Sequence, residues 1–107
     1  MKIRPGEHAR FQPDKMAKVA LAATGRVQLD LYCLEPGQSQ KAHVHDDADK
    51  IYLVVDGRAR VLLDGAEHRL EAGEAIVAAA GAAHGVANDS DARLTLLVVV
   101  TPPPRHA

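Results

Sequence analysis

The sequence predicts an all-β fold, and three observations carry that prediction. Its apolar residues fall in short stretches punctuated by Gly, Asp and Pro. No stretch sustains a 3.6-residue apolar repeat over the length a helix needs. Asp-Gly occurs twice between apolar runs, at Asp56-Gly57 and Asp64-Gly65, and this dipeptide is the strongest short-range hairpin signal because both residues tolerate positive φ.

Taken in order, residues 18–23 and 27–34 are two strands around Thr24-Gly25, and in the second Leu29, Leu31 and Cys33 alternate with Asp30 and Tyr32. Glu35-Pro36-Gly37 is a turn. Residues 42–45 are extended, 46–49 form a polar loop, and 51–55 run into Asp56-Gly57 as a hairpin with 58–63. Asp64-Gly65 turns that strand back into 67–70. Glu71-Ala72-Gly73 separates it from 75–79, a Gly81 turn leads to 84–87, and Asn88-Asp89-Ser90 precedes 93–100. The alanine-rich stretch 78–83 is read as strand and turn, since Gly73, Gly81 and Gly85 bracket it too closely for a helix. About nine short strands at this spacing suggest a sandwich or barrel.

In the last strand Leu94, Leu96, Val98 and Val100 line one face while Leu97 and Val99 occupy the other, so neither face suits water. A homodimer that covers the outer face, with the N-terminal segment crossing over, is the expectation. Three consecutive prolines, Pro102 to Pro104, supply no backbone donors, so 1–101 is the folded unit and 102–107 a tail.

With 107 residues the chain has room for one domain. Thirteen Lys plus Arg against 14 Asp plus Glu leave a formal charge of -1, which removes the electrostatic term behind most nucleic-acid binding and any pull toward an anionic membrane. Only Phe11, Tyr32 and Tyr52 are aromatic, so a stacking platform for bases or sugars lacks its usual material. The N-terminus has no apolar stretch behind its positive start, and no apolar run, 96–100 included, approaches the length a bilayer needs. A lone Cys33, read as a buried small hydrophobe, fits a reducing cytoplasm.

The histidines are the chemical signal. His43-Val44-His45 on an extended segment places two imidazoles on one face, because side chains repeat every second residue. Two histidine nitrogens with a third from His84 can hold a divalent ion and leave a coordination position open. Gly37, five residues, His43-Val44-His45, four residues, Lys50, six residues and Gly57 resemble the first motif of the cupin superfamily, in which Lys50 would be Glu. Gly73, five residues, Ala79-Ala80-Gly81, two residues, His84, three residues and Asn88 resemble the second, with Ala79 in place of proline. The chain is thus similar to small single-domain RmlC-like cupins over 37–57 and 73–88. That resemblance implies a double-stranded β-helix, the jelly-roll barrel, holding a metal on His43, His45 and His84. Three histidines suit zinc, iron, nickel, manganese or copper better than magnesium or calcium.

Lys50 is the departure from the pattern, since it places an ammonium where a ligand carboxylate belongs. Three arrangements are open: Lys50 swings away while Asp47 or Asp49 approaches, the three neutral histidines suffice, or the site is empty. If Lys50 faces the cavity beside a metal, the natural guest is a small anion bridging them, and a lysine buried there can also move a proton. The plain alternative is a lysine paired with Asp46, Asp47 or Asp49. Tyr52 shares its face and lines the same cavity, or serves as a core aromatic. Arg58 and Arg60 are read as a solvated hairpin edge, Asn88 as a turn residue, and His8, His68 and His106 as without a role. The expected function is a small metal-binding protein with a pocket for a small anion, and the first hypothesis for its activity is a metal-dependent enzyme of dioxygenase, isomerase or decarboxylase type with Lys50 as the catalytic residue. The alternative is a non-catalytic binding or sensing protein, metal-free because Lys50 replaces the ligand.

Overall fold

A computed structural model describes residues 1–104; Arg105, His106 and Ala107 of the expected tail lie outside the described residues. After a short 3-10 turn at Pro5–His8 come nine strands: β1 Ala17–Ala23, β2 Gln28–Leu34, β3 Ser39–His43, β4 Asp49–Asp56, β5 Arg58–Leu63, β6 Ala66–Glu71, β7 Ala75–Ala78, β8 His84–Ala87 and β9 Leu94–Thr101. They form two sheets, ordered β1-β2-β9-β4-β7 and β3-β8-β5-β6, with antiparallel pairing throughout. This is the all-β jelly-roll barrel the sequence predicts, in a single small domain. Among the described residues no helix is long and apolar enough to cross a membrane.

Period-two alternation builds the core between the sheets. Leu94, Leu96, Val98 and Val100 of β9 meet Tyr52 and Val54 of β4, Tyr32 and Leu34 of β2, and Val61 and Val86 from the opposite sheet. Burying leucines such as Leu34, Leu94 and Leu96, which have no exposed surface, contributes roughly 2 kcal/mol each. Asp64 (φ 49°) and Gly65 (φ 81°) make the predicted tight hairpin between β5 and β6.

The second Asp-Gly behaves differently from expectation. Asp56-Gly57 is not a hairpin, because β4 and β5 belong to different sheets. It is the corner at which the chain crosses the barrel. Gly57 has φ 88°, and a Cβ there would stand 2.3 Å from the Arg93 carbonyl oxygen. Positive φ therefore serves a close backbone crossing here, an arrangement local sequence does not separate from a turn.

The strand expected from Ile51 begins at Asp49, so Lys50 sits in the ladder opposite Val100 and Ala78. Leu31 and Cys33 are fully buried on the face of β2 away from the barrel interior. The N-terminal segment reaches this side of the sheet, where the Arg10 N–H donates to Cys33 Sγ at 3.4 Å and Gly6 approaches Val55.

Candidate metal centre

Two features of the β3–β8 pair set the histidines. Gln40 pairs with Val86 and His43 with His84, so two residues of β3, Lys41 and Ala42, stand against Gly85 alone. This bulge turns His43 directly opposite His84. Gly85 permits it, because a Cβ there would lie 2.7 Å from the Ala42 nitrogen and 2.8 Å from the Gln40 carbonyl oxygen. β3 ends at His43, and His45 follows in a loop pinned by the Gly81 N–H donating to its carbonyl oxygen at 2.8 Å. Adjacent imidazoles therefore arise from a bulge and a loop, where the sequence suggested a regular strand.

The rings of His43, His45 and His84 converge. Centroid separations are 4.7 Å for His43–His45, 4.4 Å for His43–His84 and 5.7 Å for His45–His84. One potential donor atom from each lies within 4.8 Å of the others, and among the described residues no Cys, Asp or Glu joins the cluster. Nδ1 of His43 faces the Lys41 carbonyl oxygen at 2.9 Å and Nδ1 of His84 faces that of Ala82 at 3.0 Å. A carbonyl only accepts, so each Nδ1 carries the proton and each Nε2 presents a lone pair. Burial pushes the His43 and His84 imidazoles below their ordinary range, and neighbouring cations including Lys50 push the same way.

His84 Nε2 tests whether a metal fits. The residue is 2 % exposed and that nitrogen has no hydrogen-bond partner, a costly state for a buried polar atom. A lone pair without a donor, next to the His43 and His45 rings, is the donor set of a transition-metal ion. Asp49 is engaged elsewhere, accepting the Ala80 N–H at 2.8 Å, and Asp47 lies on the wall of the neighbouring cavity.

That cavity has a volume of about 460 Å³ and is bounded by His43, His45, Lys50, Tyr32, Gln40 and Asp30 among others. Lys50 aims inward and is 4 % exposed. Among the described residues it makes no ion pair with Asp46, Asp47 or Asp49. Its Nζ lies 5.0 Å from the Tyr32 ring centroid, 5.3 Å from that of Tyr52, and 3.5 Å from Gln40 Oε1. Desolvation lowers the ammonium pKa from 10.5 to about 8, Lys18 adds to the fall, and Asp30 opposes it. Burial raises the Tyr32 hydroxyl to about 12 and carries Tyr52 well above its ordinary range. Tyr52 is fully buried beneath the site and donates to Gln40 Oε1 at 3.4 Å.

Sequence reasoning passed over Gln40, Asp30, Tyr32 and Lys18. Asp30 and Tyr32 are the polar alternates of β2, and the ordinary reading of such a pattern turns them to solvent. Here they face the barrel, with Asp30 7 % and Tyr32 3 % exposed and Gln28 Nε2 donating to Asp30 at 2.7 Å. Away from the cavity, Arg60 pairs with Glu67 at 3.3 Å, and Asn88 donates to the Leu34 and Ala92 carbonyls, as a turn residue should.

Comparison with known proteins agrees with this architecture. The Cupin domain family matches residues 30–100. A Thermus thermophilus protein, TT1209, is 44% identical over 97% of this chain and 100% of its own, with a TM-score of 0.92. A Klebsiella pneumoniae protein with a double-stranded β-helix domain is 24% identical over 94% and 89%, at TM-score 0.87. An RmlC-like cupin protein from Desulfovibrio desulfuricans is 23% identical over 97% and 99%, at 0.86. No curated protein matches the chain at a significant level.

Proposed function

The chain belongs to the Cupin domain family, and from that premise we propose that it holds a divalent transition metal on His43, His45 and His84 and binds a small anion beside it. The observation that carries this reading is the convergence of three imidazoles around the buried, unpartnered Nε2 of His84. A metal bound there supplies Lewis acidity toward a ligand oxygen. The chain's own groups do the rest. Lys50, desolvated and without a carboxylate partner, attracts an acid group into the cavity and can give or take a proton near neutral pH. Gln40 Oε1 holds both Lys50 Nζ and the Tyr52 hydroxyl, so it positions the lysine. The barrel wall at Val100 limits water on one side. Reaction types consistent with such a site are those of a dioxygenase, isomerase or decarboxylase.

A second reading has its own support in the burial of Lys50. The lysine supplies the cavity's positive charge by itself, and the protein is a metal-free binding or sensing module. Metal analysis of protein purified without a histidine tag separates the two. Near-stoichiometric metal that disappears in His43→Ala and His84→Ala establishes the three-histidine site, and the element found chooses among the chemistries. Persistent absence after reconstitution with zinc, iron, nickel and manganese rejects it in favour of the metal-free pocket.

The partner proposed for the outer face of the five-stranded sheet is a second copy of the chain. Register aligns Val77, Ile51, Val99 and Leu29 across β7, β4, β9 and β2, and Val77 is 59% exposed, a continuous apolar row of the kind isologous interfaces bury. A monomeric mass by light scattering at micromolar concentration rejects the dimer. A buried free thiol at Cys33 supports residence in a reducing compartment, for which cytoplasm is the proposal.

A further inference from the structure

Two lysines at different depths converge on one aromatic ring. Lys50 Nζ lies 5.0 Å and Lys18 Nζ 5.3 Å from the centroid of Tyr32. Lys50 is buried; Lys18, on edge strand β1, is exposed, yet its side chain folds back over the ring. Among the described residues neither ammonium forms an ion pair. The buried carboxylate of the cavity wall, Asp30, is held instead by Gln28.

Charge on the wall fixes what complements it. Lys18 and Lys50 are balanced by Asp30 and Asp47, all four of them cavity-lining, so a divalent ion on three neutral histidines leaves a surplus of two positive charges. One carboxylate placed at the inner end, beside Lys50 and the histidines, neutralises only part of this and leaves Lys18 facing water. The wall the two lysines share includes the Tyr32 ring and Val100, apolar surface that suits a short hydrocarbon chain, beside the Asp30 carboxylate that Gln28 engages.

We infer that the ligand is a small dicarboxylic acid, its inner carboxylate beside Lys50 and the histidine cluster and its outer carboxylate held by Lys18 at the mouth. This rests on the anion pocket proposed above and assigns to Lys18 the selection of diacids over monoacids. An exposed ammonium contributes modestly to such a contact, so the expected preference is about fivefold.

Calorimetric titration of the purified, metal-loaded protein with glutarate, succinate and butyrate tests the assignment. Wild type is expected to bind at least one diacid about fivefold more tightly than butyrate. Lys18→Gln, at an exposed position that leaves the fold intact, is expected to erase that margin while changing butyrate affinity by less than about twofold. Lys50→Met should weaken all three acids. A margin that survives Lys18→Gln, or no margin in wild type, overturns the diacid assignment; the anion pocket then stands if Lys50→Met still weakens butyrate. Absence of binding by every acid overturns both.

Discussion

Replacing Lys50 by Met should stabilise the metal-stripped protein at neutral pH, and the gain should vanish in alkali. The ammonium is 4 % exposed, with its pKa lowered from 10.5 to about 8, chiefly by desolvation. At about 1.4 kcal/mol per pKa unit, the charged lysine costs the folded state about 3 kcal/mol. Contact with the faces of Tyr32 and Tyr52 returns roughly 0.5–1 kcal/mol each, leaving a net cost of about 1–2 kcal/mol that a Met of similar length avoids. The sign follows from proton counting. Below pH 8 both states carry the proton and the penalty is constant and complete. Between about 8 and 10.5 the unfolded chain binds a proton that the folded one has released, so wild-type stability rises with pH relative to the variant. Urea unfolding of both proteins in chelator, at pH 7 and at intervals up to 10.5, measures the gap. A gap that does not change with pH, or a wild type more stable than the variant at pH 7, refutes the desolvated-lysine argument.

Four further outcomes follow from the same geometry. Gly85→Ala should destabilise the protein by about 2 kcal/mol or more and lower metal content, because a Cβ 2.7 Å from the Ala42 nitrogen pushes the bulge off β8 and separates His43 from His84; chemical unfolding and elemental analysis read the two effects. His84→Ala should remove stoichiometric metal without unfolding the barrel, checked by elemental analysis beside circular dichroism. Acid should weaken the metal-stripped protein below the ordinary imidazole range. The folded pKa values of His43 and His84 are lowered from 6.5, so the unfolded chain takes up protons first and stability falls as pH falls, as thermal melts across pH 5 to 7 would register. Val99→Glu should shift the light-scattering mass from dimer to monomer, since it places a carboxylate in the apolar row of the five-stranded sheet.

Much of the candidate site was legible because its donors announce themselves. His43, His45 and His84 were identifiable by type and spacing, and the structure brings all three together. Lys50 was marked by its departure from the family pattern, and it does face the cavity. Gln40, Asp30 and Tyr32 were not legible. Their direction depends on which face of β2 and β3 the barrel encloses, and polar alternates beside leucines point outward under every local rule. Tyr52 shares the inward face of Lys50 as alternation requires, but lies deeper, fully buried under the site.

Fold class, strand count and the residues able to ligate a metal are readable from the chain alone, since periodicity, turn chemistry and donor type are local properties. That Asp56-Gly57 is a corner between sheets, that a bulge over Gly85 sets His43 against His84, and that two lysines meet at Tyr32 emerges only once the chain is folded. Each of these depends on segments far apart in the chain: Gly57 beside Arg93, β3 beside β8, and β1 and β4 brought into one sheet with β2. Contacts of that separation are fixed by closure of the barrel around one core, and local sequence carries no record of them.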